Sequence, residues 1–216
     1  MARPLRIEYP DAWYHVMNRG TQARDIFVDD ADRYGFLRLL SQPRQRHHIE
    51  IHAYALMGTH FHLLVRTPLA NLSKAMQQIG SSYAQGFNHR QRTEGPVFRG
   101  RYKALLVDND AYLTELIRYI HLNPVRAGLC ESARGYEWSS HSEYLGLRPR
   151  PDFLTTGSML DRFGGDRATL DSFVDGPDTD QSTVVADLIE RGIALAGAQD
   201  ARLTELLDLS LSLIHI

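Results

Sequence analysis

Strand formers are concentrated between Ala12 and Asn18, with Trp13, Tyr14 and Val16 among them, and the turn signal Arg19-Gly20 closes the run. This predicts a β-strand. Asp29 or Asp30 can then cap a helix whose apolar positions are Tyr34, Phe36, Leu37, Leu39 and Leu40, expected to stop before Pro43. Ile49 to Met57 reads as a second strand and His60 to Arg66 as a third, joined by the tight turn Gly58-Thr59. From Leu69 to about Arg92 the spacing is helical, with Leu72, Ala75, Met76, Ile79, Tyr83 and Phe87 on one face. Gly95-Pro96 breaks the chain, Arg101 to Val107 gives a fourth strand, and Asn109 or Asp110 caps a helix running to about Leu122. The order βαββαβα suits an α+β, ferredoxin-like fold: one antiparallel sheet with helices packed on one face.

After Leu145 the pattern weakens, and Pro149, Pro151, Gly157, Gly164 and Gly165 punctuate it. This places a boundary near residue 150 and divides the chain into a folded unit at 1–148 and an incomplete, mostly helical segment at 149–210. Val184 to Ala196 is the helix expected in the latter. The last six residues, Leu211 to Ile216, read Leu-Ser-Leu-Ile-His-Ile. The codons CTG TCT CTT ATA CAC ATC encode them and resemble a transposon-based sequencing adapter read in frame. The hexapeptide is therefore expected to be foreign, and the segment before it truncated.

Charge sets the two segments apart. The formal net charge is only −2, but residues 1–150 hold 20 basic and 14 acidic side chains, whereas residues 151–216 hold 4 and 12. The basic segment can meet a polyanion; a solvated surface that favours Arg explains the same numbers. The ordinary balance, 43% hydrophobic and 23% charged, argues against a disordered chain. No stretch approaches the ~18 apolar residues of a membrane span, and no secretory signal is visible. A single cysteine, Cys130, excludes an internal disulfide and fits a cytoplasmic setting.

Three segments carry candidate chemistry. In His60-Phe61-His62 the two imidazoles share a strand face about 6.6 Å apart, close enough to converge on one ion, while Phe61, Leu63 and Val65 turn to the opposite, core-facing side. Spacing alone also suits an ordinary strand pair. On the helix from Asp110, Leu113, Leu116, Ile117 and Ile120 form the buried stripe, and Tyr112, Tyr119 and Asn123 line up beside it. Tyr119 can be a boundary tyrosine with its hydroxyl in water, and Asn123, before Pro124, a helix terminator. His121, two residues on, lies about 200° around the helix from Tyr119 and so on a different side. Finally, His89 to Lys103 interleaves Arg90, Arg92, Arg99, Arg101 and Lys103 with His89, Phe98 and Tyr102, a composition that suits phosphate contact with base stacking or a solvated edge.

Over about residues 1–146 the chain resembles the single-tyrosine HUH transposases, specifically their REP-associated branch. The resemblance rests on Met1 to Arg6, Tyr14-His15-Val16-Met17-Asn18-Arg19-Gly20, Met57-Gly58-Thr59-His60-Phe61-His62-Leu63-Leu64, Phe98 to Lys103, Arg118 to Gly128 and the region around Trp138-Ser139-Ser140. It implies that 1–148 is a catalytic domain with Tyr119 as nucleophile and with His60, His62 and Asn123 holding Mg²⁺ or Mn²⁺. It implies single-stranded DNA near a hairpin as substrate, cleaved through a 5′-phosphotyrosine that leaves a free 3′-OH for rejoining. Arg19, Arg99, Arg101, Lys103 and Arg126 become candidates for phosphate contact. A bacterial, cytoplasmic, nucleoid-associated and monomeric protein is the matching expectation. The competing readings are a domesticated hairpin-binding protein that no longer cuts, a metal phosphodiesterase with water as nucleophile, and an inactive fragment.

Overall fold

The computed structural model describes residues 8–107 and 110–195. Met1 to Arg6, Asn109 and the terminal hexapeptide lie outside the described residues. Within them run β1 (Ala12–Arg19), α1 (Asp30–His47), β2 (Glu50–Leu56), β3 (His60–Thr67), α2 (Leu72–Gln91), β4 (Lys103–Val107), α3 (Asp110–Arg126), α4 (His141–Leu145), α5 (Gly157–Asp161), α6 (Arg167–Asp175) and α7 (Asp180–Leu195). The four strands form one antiparallel sheet in the order β2-β3-β1-β4. This is the ferredoxin-like arrangement that the element order predicts.

Alternation along the strands decides which helix covers which face. Tyr14, Val16, Phe61, Leu63 and Val65 face one side, where α2 brings its stripe from Leu72 to Phe87 and α1 adds Phe36 and Leu40. The other face is also apolar: Ala53, Ala55, Leu64 and Val107 meet Leu113, Leu116, Ile117 and Ile120 of α3. The sheet is thus covered on both sides, and the expectation of helices on one face holds only for α1 and α2. A bulge between Ile51 and Ala53 shifts the alternation of β2, turning the small Ala53 and Ala55 toward α3 and letting the helix come close.

Two proline-based boundaries are corrected. α1 runs through Pro43 to His47, because its last turn is held from α2: His47 Nε2 shares a 3.2 Å hydrogen bond with Gln78 Oε1, and Asn71 Nδ2 donates to the His47 carbonyl at 2.7 Å. α3 continues through Asn123 and the buried Pro124. Its stop is Gly128, which adopts φ +69°. The Gly128 N–H donates to the Val125 carbonyl at 2.9 Å and the Leu129 N–H to the Pro124 carbonyl at 2.9 Å, a paired cap of the Schellman type. A side chain at Gly128 forces an L-residue into the left-handed region, so Gly128→Ala is expected to lower unfolding free energy by about 1 kcal/mol in urea melts.

The boundary expected near residue 148 does not separate one core from another. Met159, Leu170, Val174, Val185 and Ile189 pack with Leu113 to Ile120 of α3 in the same cluster. Asp171 pairs with Arg134 and Asp178 with Arg126, so the acidic segment meets the basic one in ion pairs, and Asp171 also accepts a 3.1 Å hydrogen bond from His141 Nε2. Trp138-Ser139-Ser140 runs along the outer edge of β2. Leu56 N–H donates to the Trp138 carbonyl at 2.8 Å and Ser140 N–H to the Tyr54 carbonyl at 3.0 Å, which covers an otherwise open strand edge.

Candidate active site

The sheet face beneath α3 is where the candidate residues meet. Antiparallel pairing sets Arg19 opposite His60 and Met17 opposite His62 on β1 and β3, and Met17 opposite Lys103 on β4. Residues paired in this way point to one face, so His60, His62, Arg19 and Lys103 share it. α3 crosses above them. The Tyr119 ring lies edge-on to His62, with centroids 5.6 Å apart, and the His60 and His62 rings are 5.0 Å apart. One turn further along α3, the Asn123 side chain comes close enough to His60 to act on its ring, pulling its titration upward. That contact exists because the helix does not end at Asn123. Tyr119 and Asn123 therefore project together at one point, and the terminator reading of Asn123 is overturned.

His15 completes the cluster. It sits on the same face of β1, its Nε2 shares a 2.9 Å hydrogen bond with His62 Nδ1, and its ring is 6.0 Å from that of Tyr119. Sequence reasoning placed His15 within a motif and gave it no role. The signal was an isolated imidazole in an apolar strand, and only the register with β3 gives it a partner.

Burial keeps these imidazoles neutral. It lowers His15 to about 3. It holds His62 well below its ordinary value, with His15 and His60 adding repulsion. His60 is also lowered by burial and by Arg19, against an upward pull from Asn123. Neutral imidazole is the state a metal ligand requires. The ring nitrogens are sorted as well: Thr59 Oγ1 is 3.0 Å from His60 Nδ1, and His15 engages His62 Nδ1. With Nδ1 engaged on both rings, Nε2 is the nitrogen that would serve as the ligand, the arrangement of outer partners usual around metal-binding histidines. Among the described residues no three His, Cys, Asp or Glu side chains are grouped to hold an ion; the set here is two imidazoles and an amide. Those neutral donors fit a divalent cation with open positions for substrate oxygens.

The candidate phosphate contacts divide. Arg19, Arg99 and Lys103 lie within electrostatic reach of one another, and burial with the two guanidiniums lowers the Lys103 amine. Arg99 and Arg101 are exposed on the loop that leads into β4. Arg126 stands apart, 5.7 Å from the Tyr119 ring centroid and 2.7 Å from Asp178. Arg90 of the basic run is held by Asp29 and Asp32 and serves to join α1 to α2. His121 turns away from Tyr119 and is fully buried, sharing hydrogen bonds with Ser140 Oγ at 2.9 Å and His141 Nδ1 at 3.2 Å.

The chain belongs with the transposases, a class of DNA-processing enzymes. More narrowly, a family model described as "Transposase IS200 like" matches residues 8–123, more than half of the chain, and the chain belongs to that family. Among solved structures it is similar to one described as a REP-associated tyrosine transposase bound to a REP hairpin. There the identity is 17%, the TM-score 0.56, and 72% of this chain and 92% of that one are covered. It is also similar to a Deinococcus radiodurans R1 protein described as a transposase, at 17% identity and TM-score 0.39, covering 56% and 95%. No curated protein matches the chain. Among the described residues no helix is long and apolar enough to cross a membrane.

Proposed function

We propose that the protein is a REP-associated type of tyrosine transposase that cuts and rejoins single-stranded DNA near hairpins, with Tyr119 as nucleophile. One observation carries this reading: Tyr119 projects from α3 onto the face of β3 that holds both histidines, with Asn123 beside it on His60. The phenolic oxygen attacks phosphorus, the P–Oη bond forms and the P–O3′ bond breaks. The phenol loses its proton and the departing oxygen gains one, leaving a 5′-phosphotyrosine and a free 3′-OH. The ester keeps the strand's phosphodiester energy, so a 3′-OH can later displace Tyr119 and rejoin DNA. His60, His62 and Asn123 would hold Mg²⁺ or Mn²⁺, which would supply Lewis-acid polarisation of the scissile phosphate. Arg19, Arg99, Arg101 and Lys103 give the approaching backbone its countercharge, which makes binding salt-sensitive. Arg126 joins them by exchanging Asp178 for a phosphate.

The test is a denaturing-gel assay with end-labelled single-stranded hairpin oligonucleotides, run with Mg²⁺, with Mn²⁺ and with chelator. A covalent band that chelator removes supports the reading. Cleavage without a band favours water as nucleophile, and binding with neither favours the domesticated binder. His15 acts through His62. His15→Asn is expected to weaken Mn²⁺ binding by about 10- to 100-fold, measured by electron paramagnetic resonance titration of the folded variant. An unchanged affinity removes His15 from the site.

A further inference from the structure

Phe61 stands between the two histidines, and alternation turns it to the opposite side of the sheet. There it forms part of a cleft of about 510 Å³ between α2 and the loop before β4. Its apolar lining is Phe61, Met76, Phe98 and Tyr102, with Gln77 and Arg101 at the rim. Phe98 is held edge-on to Phe61, with centroids 6.2 Å apart, and Tyr102 Oη lies 3.2 Å from Ser73 Oγ. At the sheet end, Asn18 Nδ2 donates to the Gly100 carbonyl at 3.2 Å, tying β1 to the loop.

We propose that this cleft is a nucleobase subsite, occupied by one base of the same single strand whose scissile phosphate lies at Tyr119. The inference rests on the function proposed above and deepens it. Consecutive residues connect the two faces: Tyr102 lines the cleft, and Lys103, the next residue, shares the histidine face. Arg99 and Arg101 are exposed at the end between them, and Arg99 and Arg19 act on Lys103. Cations therefore run from the cleft around the sheet end to the histidines, in charge complementarity with a strand passing over that end. Aromatic walls with a basic border are what a base and its phosphate recognise, because every base has a π-face to stack. The Gln77 amide and the Arg101 guanidinium supply donors and an acceptor at the rim for a base edge.

Gly80 offers a clean test. It lines the cleft on α2, and a Cβ added there meets nothing within 4 Å, so Gly80→Leu fills the cleft without disturbing the helix. Gly86 is equally open but lies in the groove between α1 and α2, so Gly86→Leu is the control. The probe is a fluorescein-labelled hairpin oligonucleotide with single-stranded flanks, selected from a random-flank pool by binding to the wild-type protein. Its flank is then scanned with single abasic sites, and affinity is read by anisotropy. The wild type and Gly86→Leu are expected to lose about tenfold at one flank position. Gly80→Leu is expected to bind the intact probe about tenfold more weakly and to show no further loss at that position. Its covalent adduct at saturating DNA is expected to stay at the wild-type level. Equal binding of the intact probe by Gly80→Leu and wild type overturns the subsite, as does an abasic loss that persists in Gly80→Leu. Wild-type binding without an adduct overturns the tyrosine reading instead, and the same scan still decides the cleft. A wild type that binds no member of the pool overturns both.

Discussion

Tyr119→Phe is expected to abolish the covalent protein–DNA adduct and to reduce strand cleavage by at least about 10³-fold. Affinity for the uncut hairpin should stay within about twofold, because an isosteric ring keeps the packing. The reason is local. Tyr119 is 9% exposed, and its ring is set by His15, His62 and the Arg126 guanidinium. Phenylalanine keeps those ring contacts and removes only the oxygen that would attack. Adduct formation on a denaturing gel and affinity by anisotropy separate the two roles. Loss of adduct with binding retained assigns the nucleophile. Cleavage that survives the substitution means that water attacks, and a protein whose activities are all unchanged is a binder in which Tyr119 only packs.

Arg118→Ala is expected to be the most destabilising of these substitutions, by about 3–5 kcal/mol, with a fall in Tm of about 10 °C. Arg118 neighbours Tyr119 in sequence but turns toward the C-terminal helices. Its side chain is 2% exposed and lies 3.7 Å from the buried Glu115 carboxylate. It donates to the Val174, Gly176 and Pro177 carbonyls, the last at 2.8 Å, and its guanidinium lies 5.7 Å from the Phe173 ring centroid. Burial already pushes the Glu115 carboxyl up, and Arg118 pulls it down. Removal leaves a buried carboxylate and the carbonyls without their donor, and frees the chain between α6 and α7 from the tyrosine helix. Adding Glu115→Gln to Arg118→Ala should recover some of the loss, since the stranded charge goes with it. A Tm within about 2 °C of the wild type shows that the network around Arg118 contributes nothing measurable.

Much of the frame is legible along the chain because it depends on local periodicity. The stripe Leu72, Ala75, Met76, Ile79, Tyr83 and Phe87 is the set that α2 buries, and Asp29 caps α1, accepting from the Asp32 N–H at 3.1 Å. Proline misled the reading in two places, since a local bias against helix is outweighed where tertiary contacts hold the turn, as at His47, and where Gly128 supplies a better stop. The second cover of the sheet was hidden for another reason. Ala53 and Ala55 look unremarkable in a strand; the bulge beside them turns them under α3, and a bulge leaves no periodic trace.

The candidate site divides in the same way. The chain by itself determined that His60 and His62 share a face, that Phe61 opposes them, and that Tyr119 and Asn123 project from one side of a helix, because strand and helix geometry set those relations between near neighbours. Tertiary structure alone decided that the helix side faces the strand side. It also supplied His15 as the partner of His62, bound Arg126 to Asp178, and placed α6 and α7 behind α3. Those relations join residues far apart in sequence. They arise from strand register and from the burial of apolar faces against one another, which no local pattern encodes.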